Sequence, residues 1–201
     1  MAFTVKDLKF GKDALEGISE KTLTVHHDTL YAGYVNKRNE IEDGLKNVDR
    51  STANQAYSAY RALKLEETFA ADGQILHELY FDTLGGNGEA GGDLADKIAE
   101  DFGSWDAFIE DARACAMAAR GWMVTALDPT DGKIHNFLCD VHNQGGVWGT
   151  VPLWTIDTYE HAYFMDYGSD RPSYITALLK NVDWDAVNER YQAAKASLAA
   201  R

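Results

Sequence analysis

Gly121-Trp122-Met123-Val124-Thr125-Ala126-Leu127-Asp128-Pro129-Thr130-Asp131-Gly132-Lys133-Ile134 is the stretch where the chain changes its period. Trp122–Leu127 is short, apolar and rich in strand formers, and Asp128–Lys133 is a dense turn signal. Ile134–Val141 reads as the returning strand of an antiparallel hairpin, and Thr150–Ile156 as a third strand. Upstream of Gly121 the pattern is helical, and helical spacing resumes at 172–179 and 184–198. Helices come first and a small sheet follows, so the class is α+β rather than an alternating α/β fold.

Residues 20–45 contain no proline and carry apolar positions three and four apart, with Val25, Tyr31 and Val35 marking the stripe. Residues 50–84 form a second helical region with Tyr57, Tyr60, Leu63, Leu76, Leu79 and Tyr80 on its apolar face. Gly85-Gly86-Asn87-Gly88-Glu89-Ala90-Gly91-Gly92 then breaks the pattern, since each helical glycine costs ~1 kcal/mol. The expected organisation is an N-terminal antiparallel helical hairpin over 1–84, a connector over 85–92, and an α+β domain over 93–201. That last domain holds a three-stranded antiparallel sheet and flanking helices, with Ser104 capping the helix from Trp105.

The chain has 201 residues, 19 basic and 32 acidic, for a formal net charge of −13. That balance argues against nucleic acid or anionic lipid as the partner. No apolar run reaches the ~18 residues of a membrane helix. Two cysteines, Cys115 and Cys139, make no disulfide framework, and a cytoplasmic location is expected. Gly86-x-Gly88-x-x-Gly91 matches a dinucleotide fingerprint in letters but follows a helix rather than a strand, so it reads as a connector.

Of six histidines, three fall in patterns that can carry chemistry. His26 shares a helix face with Leu30 and Tyr34, and His77 shares one with Gly73, Tyr80, Phe81 and Leu84. Two antiparallel helices can bring His26 and His77 to one seam. Asp157-Thr158-Tyr159-Glu160-His161, after the third strand, adds a carboxylate and an imidazole four residues apart. Three imidazoles and one carboxylate suit iron, manganese or zinc better than calcium or magnesium. His135 and His142 have no partner pattern and read as sheet residues with satisfied tips.

His26-His27 with Tyr34 and Asn39, Leu76-His77-Glu78, Gly121-Trp122, His142-Asn143-Gln144, Asp157-x-x-x-His161-Ala162-Tyr163 and Arg171-Pro172-x-Tyr174 occur in an order that resembles the iron/manganese superoxide dismutase family. The resemblance runs from about Lys12 to Arg190. It implies that His26, His77, Asp157 and His161 ligate one manganese or iron ion per chain. It implies catalysis of superoxide disproportionation to dioxygen and hydrogen peroxide. Gln144 would hydrogen-bond the solvent on the metal, and Tyr34 would stand at the substrate channel. Trp122 and Tyr163 would line the site. Glu160 would reach the partner's His161 across a homodimer interface. Arg171 would focus the anion at the channel mouth against the chain's overall charge.

Several positions depart from the family pattern. Leu30 and Tyr31 replace a common His-His pair, Tyr159 and Phe81 replace tryptophans, and Glu78 replaces Ser or Thr. Gly73 with Gln144 resembles manganese-type members, while Thr155 resembles iron-type ones, so use of either metal is expected. The altered aromatic positions also motivate a second reading, a non-catalytic metal-binding protein of the same fold.

Overall fold

Ser19 starts the helical hairpin: its hydroxyl accepts from Thr22 N at 3.2 Å and caps helix α1, Glu20–Thr24. The structure, a computed structural model, describes residues 2–199. Helix α1 does not pass directly into α2, Ala32–Asn47, because Val25–Tyr31 between them is wound as a wider π-helical segment. That winding buries His26, His27 and Tyr31 together. It also displaces the expected stripe: Val25 is exposed and Leu30 only half-buried, because a regular 3.6-residue period does not run through this segment.

The second long helix, α3, spans Ala59–Asp82 and is capped by Ser58, whose Oγ accepts from Arg61 N at 3.1 Å. It begins later than the apolar spacing suggests. Asp49 and Asn54 capture the backbone N–H groups of Ser51 and Ala56 at 2.9 and 2.8 Å, holding 49–57 in turns and leaving Tyr57 exposed.

The glycine-rich segment 85–91, which precedes the next helix, packs closely against 181–183. Gly85 N and Gly86 N both donate to Asn181 O, at 3.0 and 3.1 Å, and Gly88 N donates to Val182 O at 3.0 Å. A Cβ on Gly86 would lie 2.5 Å from both Asp183 Cα and Val182 O, so only glycine permits this approach. The glycines serve backbone packing, and among the described residues the sheet is antiparallel, with no parallel βαβ unit.

Helices α4 (Gly92–Phe102) and α5 (Trp105–Ala118) are separated by Gly103, at φ +89°, and Ser104, whose Oγ accepts from Ala107 N at 3.0 Å. Strands β1 (Trp122–Asp128), β2 (Lys133–Cys139) and β3 (Val151–Asp157) form an antiparallel sheet in the order β2-β1-β3. A short 3₁₀ turn, Glu160–Ala162, and helices α6 (Phe164–Tyr167), α7 (Arg171–Lys180) and α8 (Trp184–Ala199) complete the chain.

Central strand β1 is buried over its first six residues because helices cover both sheet faces. On one face Trp154 packs 4.8 Å from Trp184 and 6.1 Å from Phe108, centroid to centroid. Each such fully buried side chain contributes roughly 1.5–3 kcal/mol. On the other face Trp122 and Asp157 are register partners, so their side chains point the same way, toward the helical hairpin. Among the described residues, no helix is long and apolar enough to cross a membrane.

Candidate metal centre

The wide segment, the C-terminal part of α3, the end of β3 and the turn after it each supply one side chain to a single point. The ligating atoms of His26, His77, Asp157 and His161 all lie within 4.8 Å of one another. Asp157 Oδ2 is the focus: His26 Nε2 is 3.0 Å away, His161 Nε2 3.1 Å and His77 Nε2 3.7 Å. The other oxygen, Oδ1, accepts from Tyr159 N at 2.9 Å, which fixes the carboxylate plane. His26, His77 and Asp157 are buried, whereas the His161 side chain is 26% exposed and faces the outer cavity.

His77 reveals what the cluster is built to hold. Its Nδ1–H donates to Gly73 O at 2.6 Å, so Nε2 carries the lone pair. That Nε2 is buried without a hydrogen-bond partner, a condition shared among the described residues only by Trp154 Nε1. An orphaned buried nitrogen costs roughly 1–3 kcal/mol. A cation between the three imidazoles and the carboxylate would engage it, so the residues fit iron or manganese. Both cysteines lie outside the cluster, and burial pushes each thiol up to about 11.

The protonation states suit ligation. Burial lowers His77 to about 3 and also lowers His26, so both are neutral imidazoles at neutral pH. Burial alone would raise Asp157, but the charge and hydrogen bond of His161 and those of His26 hold it far below the usual carboxylate range. His161 is raised, because the pull of Asp157 outweighs the burial that would lower it. A metal entering the cluster therefore competes with a proton at His161.

Gln144 is not in this site. It is exposed, its backbone N donates to Val141 O at 3.2 Å in a tight turn, and His142 occupies the interior position instead. Trp122 Nε1–H donates to His142 Nδ1 at 2.9 Å. Since indole nitrogen can only donate, the imidazole proton sits on Nε2, which donates to Tyr34 Oη at 2.7 Å. Burial lowers His142 to about 4, so it is neutral. In the sequence His142 has no partner pattern that marks this role. The available signal was chemical: a buried Trp122 needs an acceptor for its N–H, and His142 can accept there while donating to a second partner.

The Tyr34 ring lies 5.2 Å from His77 and 4.6 Å from His142, and burial raises its phenol pKa. Gly73 makes room for it, since a Cβ there would meet Tyr34 Cδ1 at 2.7 Å. With Leu30, Lys37 and Phe69, Tyr34 lines a cavity of about 420 Å³. The substituted aromatics remain in contact with the cluster. Phe81 is 5.0 Å from His26, and Tyr159 stacks on His161 at 5.4 Å.

Arg171 behaves differently from the steering residue expected of it. Its Nη1 donates to Ala119 O at 2.8 Å and Ala116 O at 3.3 Å, and its Nε to Tyr163 Oη at 3.2 Å. It caps the carbonyl end of α5, so much of its charge is engaged there. It still lines an outer cavity of about 620 Å³ with Glu160, His161 and Arg120. Glu160 is exposed, and Tyr163 is buried and stacked on Tyr174 at 5.0 Å. His135, at the start of β2, pairs with Asp131 of the hairpin turn at 2.9 Å and stacks on Phe137 at 5.6 Å.

Two family models match the chain. The model for iron/manganese superoxide dismutases, alpha-hairpin domain, covers residues 2–85, and that for the C-terminal domain covers 90–190. Among curated proteins, a superoxide dismutase [Fe] of Aquifex pyrophilus is 49% identical over 185 residues, 90% of this chain and 87% of that protein. A superoxide dismutase [Mn] 1 of Halobacterium salinarum is 40% identical over 195 residues, 96% of each.

Proposed function

This chain belongs to the iron/manganese superoxide dismutase family, and we propose from that premise that it disproportionates superoxide at the His26–His77–Asp157–His161 centre. The observation that carries the assignment of the site is the buried, unpartnered Nε2 of His77, aimed at the other three ligand atoms. When bound, iron or manganese supplies a one-electron couple, by which one superoxide leaves as dioxygen and a second, with two protons, as hydrogen peroxide.

The chain's own residues hold the ligands and manage protons. Tyr159 N–H and Gly73 O fix Asp157 and His77, so the donor set is preorganised. His142 donates to Tyr34 Oη, which leaves the Tyr34 hydrogen free to face the cavity. Tyr34 is therefore the group placed to hand a proton to reduced substrate, and His142 the group that orients it. Phe81 and Tyr159 keep the cluster walled by rings, so nothing here favours a non-catalytic reading.

Homologues named for iron and for manganese both occur, and we extend this to use of either metal. A homodimer through Glu160 and His161 is supported by the exposed Phe164, Met165 and Met117 on the face that carries them. The free cysteines support a reducing, cytoplasmic setting. His77→Ala tests the centre: metal content and activity in a xanthine oxidase–coupled assay are expected to fall together. A variant that keeps full metal content would refute the ligand assignment. Metal-stripped protein reloaded with iron or manganese separately should regain activity with each.

A further inference from the structure

Tyr31 and Glu78, two of the residues that depart from the family pattern, touch each other. Tyr31 Oη donates to Glu78 Oε1 at 3.2 Å and accepts from Lys6 N at 3.0 Å. Lys6 Nζ meets Glu78 Oε2 at 2.5 Å, and Gln74 Nε2 donates to Glu78 Oε1 at 2.7 Å. The Lys6 carbonyl accepts from His27 Nε2 at 2.8 Å. Thus Lys6 engages, through its backbone and its ammonium, residues adjacent to two ligands: His27 follows His26, and Glu78 follows His77.

The same N-terminal segment is pinned a second time. Phe3 N donates to Asn39 Oδ1 at 2.8 Å, and Asn39 Nδ2 returns a bond to Phe3 O at 2.9 Å. The Arg38 guanidinium lies 3.7 Å from the Phe3 ring centroid, a cation–π contact. The Tyr31–Glu78 bond also joins the segment carrying His26 to α3, which carries His77. The Tyr31 ring stacks on His77 at 6.3 Å and 20°. His26 sits in the wide π-helical turn, so its backbone is the less regular of the two ligand supports.

We propose that Phe3–Lys6 acts as a clasp that sets the spacing of the two helix-borne ligands, with Tyr31 and Glu78 as positioning residues that slow metal release. The inference rests on the four-ligand reading above. Glu78 is the hub, a carboxylate only 14% exposed that gathers three donors, and hydrogen bonds to a charge in such a setting are among the stronger ones.

The test is the rate at which manganese-loaded protein loses metal to excess chelator. Glu78→Gln and Tyr31→Phe are each expected to speed release about tenfold, the scale of one charge-assisted hydrogen bond. The double variant should fall short of the product of the two, because they act in one network. Lys6, with a 57% exposed side chain, gives a variant that does not threaten the core: Lys6→Met should speed release and Lys6→Arg restore it. Lys9→Met, which removes the exposed 3.5 Å pair with Asp82, should leave the rate unchanged. Wild-type protein that takes up no metal would overturn the four-ligand reading and the clasp with it. Wild-type protein that holds metal, while the clasp variants release it at its rate or Lys9→Met releases it as fast as they do, would overturn the clasp alone.

Discussion

Gly73→Ala should weaken the protein despite replacing a glycine inside a helix. On propensity alone the change would stabilise α3 by about 1 kcal/mol. The new Cβ, however, would stand 2.7, 2.9 and 3.0 Å from three atoms of the Tyr34 ring. Ordinary carbon contacts need about 3.5 Å, so the ring must retreat by roughly 0.8 Å. Forced overpacking of this kind costs about 1–3 kcal/mol. The expected net effect is a loss of about 0–2 kcal/mol. Retreat also acts on the 2.7 Å His142–Tyr34 bond, which would lengthen past hydrogen-bonding range unless both rings shift together. Thermal unfolding of metal-loaded protein reads the first effect, and the pH profile of turnover reads the second. A variant that melts several degrees higher and turns over with an unchanged profile would refute the packing argument.

Other substitutions separate residues that proximity in sequence confuses. His142→Ala should lower turnover with metal retained, whereas Gln144→Ala should match wild type; kinetics on protein of known metal content decides between them. Arg171→Gln should destabilise the protein by about 1–2 kcal/mol, measured by urea unfolding, because it removes the charged cap of α5. An effect confined to the salt dependence of substrate association would instead restore Arg171 as a steering residue. Metal-free protein should lose stability as the pH falls from about 6.5 toward 4. His77 and His142 are lowered to about 3 and about 4, and His26 is lowered too, so the unfolded chain binds more protons in that window. His161, raised by Asp157 despite its burial, acts above that window, where its contribution is lost as pH rises. The three lowered histidines leave a slope of up to about 4 kcal/mol per pH unit. Urea midpoints that stay flat from pH 7 to 4.5 would contradict it.

The strands and caps were readable because their signals are local. Ser104 before Trp105 and the turn at Asp128–Lys133 need nothing beyond neighbouring residues. The four ligands were found through their resemblance to a family pattern; spacing alone left each one ambiguous. The winding of Val25–Tyr31 was not readable, since the buried positions five apart, His26 and Tyr31, look like ordinary helix with one position misplaced. Choosing between His142 and Gln144 needed the path of the turn at Val141, where strand parity gives no guidance. Arg171 misled for a related reason: its charge is visible in the sequence, but the α5 carbonyls that absorb it come from a segment more than fifty residues away.

The wide turn also dictates where this chain can change length. Adding or removing one residue in a helix rotates everything beyond it by about 100°. The loop between α2 and α3 can absorb such a change, because it carries turns and no ligand. A one-residue deletion within 25–31 would let the segment relax toward ordinary α-helix. The same deletion would change which side chains the segment turns inward, since the wide winding is what buries His26, His27 and Tyr31 together. The segment is thus a phase setter, and insertions and deletions should be admitted on one side of the hairpin and refused on the other.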